Sequence, residues 1–96
     1  MIRSFADAAT ADFYHGQHTR AARCFPPDIR SPALRRLDQL DAAADIRDLA
    51  APPGNRLERL HGRLAGRYSI RVNDQWRVVF RWDNGNAYEV WLTDYH

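Results

Sequence analysis

The chain has no lysine, a single cysteine and no long apolar run. The lone cysteine, Cys24, excludes an internal disulfide, and it stands outside any motif typical of a catalytic thiol. No stretch reaches the roughly 20 apolar residues that a membrane-spanning helix needs. The opening "MIRSFADAAT" also lacks the apolar core of a signal peptide. These absences predict a cytoplasmic protein with no membrane contact.

The histidines are too scattered to indicate a metal site. His15, His18, His61 and His96 follow no spacing that is typical of zinc ligands. The length of 96 residues suits one core and leaves little room for a second. The sequence therefore predicts one domain, residues 1–96, without a metal or another cofactor.

The absence of lysine makes all 14 basic residues arginine, and these arginines are clustered. Seven of them lie from Arg56 to Arg81, where only Glu58 and Asp74 are acidic, although the net charge of the chain is +2. Such a cluster is typical of proteins that bind a polyanion such as RNA or DNA. A GC-rich genome would also favour arginine over lysine, but it would not cluster the arginines.

The first half of the chain predicts a short strand followed by helices. "MIRSF" alternates enough for a strand, and "ADAATADFYHG" indicates a helix ending near Gly16. Prolines interrupt the next stretch, which favours a loop or a short irregular helix. A clearer helix is predicted from Ser31 as N-cap and Pro32 at the first helical position, ending before "APPGN". Its predicted apolar stripe is Leu34, Leu37, Leu40 and Ala44.

The second half changes to the period-two pattern of strands. "RLERL", "RYSIRV", "WRVVFRW" and "AYEVWL" each alternate apolar and polar residues, with Tyr88 among the predicted inward ones. One strand, then helices, then an antiparallel meander indicates an α+β fold. A three-residue loop at "NDQ" pairs Arg71 with Arg77, and one at "NGN" pairs Arg81 with Glu89.

Two arginines that face each other across strands repel unless an anion separates them. Glu89 is a plausible structural partner for Arg81, whereas Arg71 and Arg77 have no obvious partner nearby in the sequence. Asp94 or the terminal carboxylate is one way to neutralise them. A phosphate held by guanidinium donors is the other.

The stretches "NRLERLHGRLAGRYSIRVNDQWRVVFRW" and "AYEVWLTDYH" resemble the HigB-type toxins of the RelE superfamily. The resemblance covers the whole chain. It implies a microbial-RNase-like α+β fold, with an N-terminal strand and two to three helices packed on a curved antiparallel sheet. It also implies a toxin that cleaves mRNA in the ribosomal A site. Its partner would be a HigA-type antitoxin with a helix-turn-helix domain, through which the complex contacts DNA.

The resemblance also suggests site residues. The family's "WR" arginine is Arg77, which is expected to hold the scissile phosphate. The terminal Asp94, Tyr95 and His96 match residues that relatives use for proton transfer and nucleotide positioning. Some relatives read "LHPLKG" where this chain reads "LERLHG". The departure puts Glu58 at the histidine position and His61 at the lysine position.

Cleavage of RNA by its 2′-hydroxyl requires a base, an acid and a cation at the phosphate. Glu58 or His96 is the candidate base, and His61 or His96 the candidate acid. Arg77 together with Arg71 is the candidate cation, and no metal is required for this route. Structural roles also fit the sequence. His61 would then be a loop residue without a catalytic step, and Glu58 would form a surface ion pair with a nearby arginine.

Two aromatic residues are candidates for RNA contact. Trp91 lies on the arginine face of the predicted sheet, where it would stack on a base or contact the antitoxin. Tyr95 would stack on a base or simply end the strand. Two other functions compete with the nuclease: a ParE-like toxin that binds gyrase without catalysis, and a decayed toxin that only binds its antitoxin.

Overall fold

The computed structural model describes residues 1–94 and shows two helices against a four-stranded sheet, which confirms the α+β prediction. The sheet has the order β1-β2-β3-β4, and each strand is antiparallel to its neighbours. The helices and strands are α1 (Ala8–Tyr14), α2 (Pro27–Ala42), β1 (Glu58–Arg59), β2 (Arg67–Arg71), β3 (Arg77–Asp83) and β4 (Asn86–Thr93). Short 3₁₀ turns lie at Ala22–Cys24, Ile46–Leu49, Pro53–Asn55 and Gly62–Leu64. No helix within residues 1–94 is long and apolar enough to cross a membrane.

Helix α2 begins four residues before the predicted N-cap, so the Ser31 prediction was wrong. Pro27, not Pro32, occupies the first helical position, where a missing N–H costs nothing. Pro32 lies inside the second turn, where it removes one intrahelical hydrogen bond. Of the predicted stripe, Leu37 and Leu40 are buried as expected, whereas Leu34 is exposed and Ala44 is exposed beyond the end of the helix. The buried stripe is Ile29, Ala33, Leu37 and Leu40.

The core lies between α2 and one face of the sheet. The sheet contributes its largest buried ring, Phe80, together with Ile70, Val78, Val90 and Leu92. Phe25 closes one end of this core, with its ring 5.3 Å from that of Phe13 in α1. Because the helices cover this face of the described sheet, a ligand of the sheet would contact its opposite face.

The predicted N-terminal strand is present as two isolated parallel bridges along the outer edge of β4. Ile2 pairs with Ala87 and Phe5 with Val90. The N–H of Ala6 donates to the carbonyl of Val90 at 2.9 Å. This segment covers the edge of β4, which would otherwise present unpaired backbone groups.

The first hairpin has the predicted register, whereas the second was predicted wrongly near its turn. Arg71 faces Arg77 as expected. The second turn uses only Asn84 and Gly85, whose φ angles of 50° and 80° are those of a two-residue hairpin turn. Arg81 therefore faces Tyr88 instead of Glu89, and Tyr88 joins the arginine face instead of the core.

A β-bulge at Glu89 restores the predicted register beyond it. The bulge lies opposite the step from Val79 to Arg81, and Glu89 has a φ of 53°. The N–H of Glu89 donates to Ser4 Oγ at 2.8 Å, so the N-terminal segment supports the bulge. Past it, Arg77 faces Thr93 as predicted.

Thr10 joins α1 to β4 and provides a test of this packing. Its buried Oγ1 accepts a hydrogen bond from the N–H of Leu92 at 3.1 Å. In Thr10→Val the side-chain shape is kept while the Leu92 N–H loses its acceptor. We expect a loss of about 1–3 kcal/mol in the free energy of unfolding, measured by urea denaturation. Thr10→Ser keeps the acceptor and is expected to lose less; equal stability of Thr10→Val and the parent would refute the role of this bond.

Candidate functional site

The sheet face opposite the helices carries an arginine-rich surface, here called the open face. Its residues are Arg67, Ser69 and Arg71 on β2, Arg77, Val79 and Arg81 on β3, and Tyr88, Trp91 and Thr93 on β4. One row runs across all four strands as Glu58, Ser69, Val79 and Trp91. Strand register thus brings the predicted Glu58, Arg77 and Trp91 to one surface.

Arg77 is the best-anchored arginine of the open face. Its Nε donates to Ser69 Oγ at 2.9 Å and its Nη2 to the carbonyl of Arg56 at 3.0 Å. Glu58 Oε1 lies 3.7 Å from Nη2. Glu58 is distant from Arg77 in the sequence, so it does not contradict the prediction that Arg77 lacks a partner nearby in the sequence; β1 brings the carboxylate to it. The side chain is only 17% exposed, so its guanidinium is oriented before any ligand arrives.

The carbonyl that holds Arg77 belongs to a strained residue. Arg56 has a φ of 45°, in the left-handed region that residues other than glycine rarely adopt. The preceding Asn55 is buried, and its Nδ2 donates to Gln39 Oε1 and to the Leu49 carbonyl, both at 3.1 Å. Asn55 therefore fixes the loop against α2 and sets the position of the Arg56 carbonyl. Only the turn-forming "PPGN" points to this support in the sequence.

Replacing Asn55 by alanine should weaken both the fold and the support of Arg77. Two hydrogen bonds are lost and the Leu49 carbonyl is left without its donor, so we expect a loss of about 2–3 kcal/mol in unfolding free energy. Thermal and urea denaturation measure it. Gln39→Ala removes only one of the two acceptors and should cost about 1 kcal/mol. If the two variants are equally stable, the bond to Leu49 has no role in fixing the loop.

Arg71 does have a partner nearby in the sequence, which corrects the prediction for this residue. Its guanidinium pairs with the carboxylate of Asp74, in the loop between β2 and β3. The Arg71 carbonyl accepts a hydrogen bond from Arg36 Nε at 2.8 Å. Burial lowers the pKa of Arg36, and the nearby Arg35 and Arg71 lower it further. Asp94 accepts from Gln75 Nε2 at 2.9 Å, so among the described residues the ion pair of Arg71 is with the exposed Asp74 and not with Asp94.

The remaining predicted residues are placed less favourably or are not described. His61 is exposed at the start of the Gly62–Leu64 turn, and no hydrogen bond or ion pair within residues 1–94 connects it to Arg77. Tyr95 and His96 lie outside the described residues. Within the described part of the chain, no group of three or more His, Cys, Asp and Glu side chains is arranged to hold a metal ion.

Glu89 forms a second charged cluster on the open face. Its Oε2 lies 2.7 Å from Arg67 Nη1 and 3.5 Å from Arg81 Nε, so the predicted Arg81–Glu89 pair is present although the two residues do not face each other. Arg81 also lies over the ring of Tyr88, at 4.7 Å from its centroid. The guanidinium of Arg67, and to a smaller extent that of Arg81, lowers the pKa of the Glu89 carboxyl. Glu89 is therefore an anion at neutral pH.

A cavity of about 310 Å³ opens beside this cluster. Trp91 and Val79, which face each other on neighbouring strands, belong to its lining. The full lining is Phe5, Ala6, Leu64, Arg67, Val79, Glu89 and Trp91. Sequence reasoning missed Phe5, Leu64 and Arg67, since they come from separate segments that only the fold brings together.

Comparison with known proteins places this chain in a family. A family model described as "RelE-like toxin of type II toxin-antitoxin system HigB" matches residues 3–96. The chain belongs to the HigB-like toxins. The resemblance seen in the sequence is thereby confirmed.

Individual relatives of this HigB-like chain support the same family. Toxin HigB-1 of Vibrio cholerae is 41% identical over 92 residues, which cover 96% of this chain and 95% of that protein. Endoribonuclease HigB of Proteus vulgaris is 36% identical over 64 residues, covering 64% of this chain and 65% of its own length.

Solved structures confirm the fold class at much lower identity. The YoeB–YefM toxin–antitoxin complex from Staphylococcus aureus matches with a TM-score of 0.60 at 18% identity, covering 100% of this chain and 98% of the matched one. A YoeB/ParE toxin from Agrobacterium tumefaciens matches with a TM-score of 0.56 at 17% identity, covering 99% and 98%. These likenesses support the predicted RelE-like fold.

Proposed function

We propose that this HigB-like chain is a ribosome-dependent endoribonuclease that cleaves mRNA and thereby inhibits translation. The observation that carries the proposal is the Arg77 guanidinium, oriented by Ser69 and the Arg56 carbonyl with Glu58 beside it. A pre-oriented cation next to a carboxylate supplies two of the three groups that cleavage by a 2′-hydroxyl needs. The name of the Proteus vulgaris relative, an endoribonuclease, supports the same activity.

In the proposed reaction the ribose 2′-oxygen attacks the adjacent phosphorus, and the bond to the 5′-oxygen breaks. Glu58 takes the proton from the 2′-hydroxyl, while Arg77 stabilises the negative charge that grows on the phosphate oxygens. His96 protonates the leaving 5′-oxygen. We assign His61 no step, because it is exposed and has no described contact with Arg77.

The residues around this centre are proposed to hold the RNA. Arg71, opposite Arg77, adds positive charge along the path of the phosphates. Trp91 presents an aromatic face for a base. Asp94, held by Gln75, would orient the nucleotide together with Tyr95.

Membership of a type II toxin–antitoxin family implies an antitoxin that neutralises this activity. We propose a HigA-type protein with a helix-turn-helix domain, so that contact with DNA is made through the antitoxin. Within the described residues, four arginines of the open face are paired with only three carboxylates, and the remaining positive charge is suited to ribosome-bound mRNA. The reaction places the toxin where translation occurs, in the cytoplasm.

Primer extension on translated mRNA tests the proposal directly. Induction of the toxin should produce new 5′ ends within codons, and co-expression of the antitoxin should abolish them. Intact mRNA at a dose that arrests growth would refute the nuclease. A supercoiling assay on the same cells would then distinguish a gyrase-binding toxin from one that is inactive.

A further inference from the structure

The cavity on the open face lies next to the proposed phosphate site. Val79, in its lining, is two residues from Arg77 along β3 and on the same face, a separation of about 7 Å. Trp91 faces Val79 while Thr93 faces Arg77, so the cavity and the arginine occupy neighbouring rows. A nucleotide whose phosphate is bound at Arg77 would therefore have the cavity within reach of its base.

The size and walls of the cavity suit a nucleobase. Its volume of about 310 Å³ is at the lower end of the range for small-molecule sites. Trp91 and Phe5 supply aromatic rings and Leu64 and Val79 apolar contacts. Flat π-faced bases stack on such rings irrespective of their sequence. The apolar walls therefore explain why a base binds, but they do not discriminate among the four nucleobases.

The polar edge of the cavity can discriminate among the nucleobases. Glu89 and Arg67 both line it, and they are 2.7 Å apart. The described contacts of Glu89 with Arg67 and Arg81 are made by Oε2, so a pair of ligand donors would meet Oε1 and the remaining acceptor side of Oε2. The site thus combines a carboxylate acceptor with an adjacent guanidinium donor.

Only guanine matches this edge along its whole Watson–Crick side. Guanine presents the N1–H and N2–H donors next to each other, for a carboxylate, and the O6 acceptor beside them, for an arginine. Adenine places the N1 lone pair where guanine has a donor, so it would face the carboxylate with an acceptor. Cytosine has its N3 lone pair at that point. Uracil has one donor between two acceptors, so it would satisfy one carboxylate oxygen and turn an acceptor towards the other.

The backbone at Glu89 is built to hold this carboxylate in place. The residue occupies a bulge with a φ of 53°, and its N–H donates a hydrogen bond to Ser4 Oγ at 2.8 Å. Strained positions of this kind persist where the surroundings fix them, and bulges are used to redirect a side chain. The lowered pKa of Glu89 keeps the carboxylate anionic at neutral pH.

We propose that the cavity lined by Trp91, Arg67 and Glu89 is a guanine-selective base pocket for the nucleotide bound at Arg77. The inference rests on the proposed nuclease function and names the base that its site selects. Glu89 is then the specificity-determining residue, since it contacts the base and takes no part in the bond that breaks.

Binding of mononucleotides to the purified toxin tests the pocket without relying on cleavage. Guanosine 3′-monophosphate should bind at least tenfold more tightly than adenosine, cytidine or uridine 3′-monophosphate, and should shift the indole N–H resonance of Trp91. Glu89→Gln should weaken the binding of guanosine 3′-monophosphate about tenfold and leave the affinity for adenosine 3′-monophosphate unchanged. Asp83→Asn, the same change on an exposed residue at the end of β3, is the matched control and should alter neither.

Equal binding of all four nucleotides, or a Glu89→Gln variant with unchanged selectivity, would overturn the pocket. If Glu89→Gln does not fold, the selectivity of the unaltered protein decides the question alone. The proposal would also be overturned if the toxin binds no guanosine nucleotide and the antitoxin shields Trp91 from solvent. Trp91 would then be a contact for the antitoxin.

Cleavage mapping separates this inference from the function on which it rests. Cut sites in translated mRNA should lie beside guanine for the unaltered toxin and should lose that preference in Glu89→Gln. Cleavage without base preference, together with unselective nucleotide binding, would refute the pocket and leave the nuclease standing. Selective guanosine binding without any cleavage would support the pocket and refute the nuclease.

Discussion

Replacing Arg77 by alanine is expected to lower the rate of mRNA cleavage by a factor of about 10² to 10³ and to abolish growth arrest. Arg77 is already oriented by Ser69 and the Arg56 carbonyl, so its positive charge meets the transition state without reorganisation. Alanine removes that charge and leaves Glu58 without its cation. Quantitative primer extension at matched toxin levels measures the change.

Two control variants separate this electrostatic role from a general charge effect. Arg77→Lys keeps the charge but loses the forked donor geometry, and we expect it to recover only part of the activity. Arg35→Ala removes an exposed arginine on α2, the other side of the sheet, and should leave cleavage unchanged. If Arg77→Ala unfolds the chain by circular dichroism, or cleaves at the normal rate, Arg77 is not the phosphate-binding residue.

The alternation of apolar residues was sufficient to predict much of the open face. Apolar residues at every second position of β2 and β3 determine which side faces the helices, and this fixes the pair Arg71 and Arg77. The same pattern placed Trp91 on the arginine side and Thr93 opposite Arg77. These predictions were confirmed because a shift of the strand register by one residue would have exposed the apolar side chains of the core face.

Alternation alone could not locate the bulge. A strict period of two through "AYEVWL" requires a three-residue turn, whereas the Asn84–Gly85 pair forms a two-residue one. The extra residue is absorbed at Glu89, where the Ser4 hydroxyl binds the backbone. That contact joins residues from the two ends of the chain, so no local pattern reveals it.

Glu58 was predicted to share a site with Arg77, but the direct contacts of Arg77 with Glu58 and the Arg56 carbonyl were not predicted, for a similar reason. Glu58 lies on a strand of only two residues, too short for a periodic signal to fix its register. The Arg56 carbonyl is directed at Arg77 because Asn55 is bound to α2, a contact between segments that are separate in the sequence. Such support of a site depends on tertiary packing, which residue periodicity does not encode.

The proposed reaction still requires an acid, and this requirement leads to a prediction about the end of the chain. Within residues 1–94, the only carboxylate paired with Arg77 is Glu58, and one group cannot take up a proton and also donate one in the same step. His61 is exposed and has no described contact with Arg77. β4 ends at Thr93, opposite Arg77, and the sequence continues with Asp94, Tyr95 and His96. His96 is therefore the residue that we expect to protonate the leaving oxygen.

Deleting Tyr95 and His96 should lower mRNA cleavage by a factor of about 10² to 10⁴, the usual contribution of a positioned acid or base. His96→Gln should account for most of the loss, since it removes the titratable group and keeps the length of the chain. The stability of both variants should match that of the parent in urea denaturation, because the described core ends at Leu92. A truncated chain that still cleaves at the parental rate would exclude both residues from the mechanism and would leave water as the source of the proton.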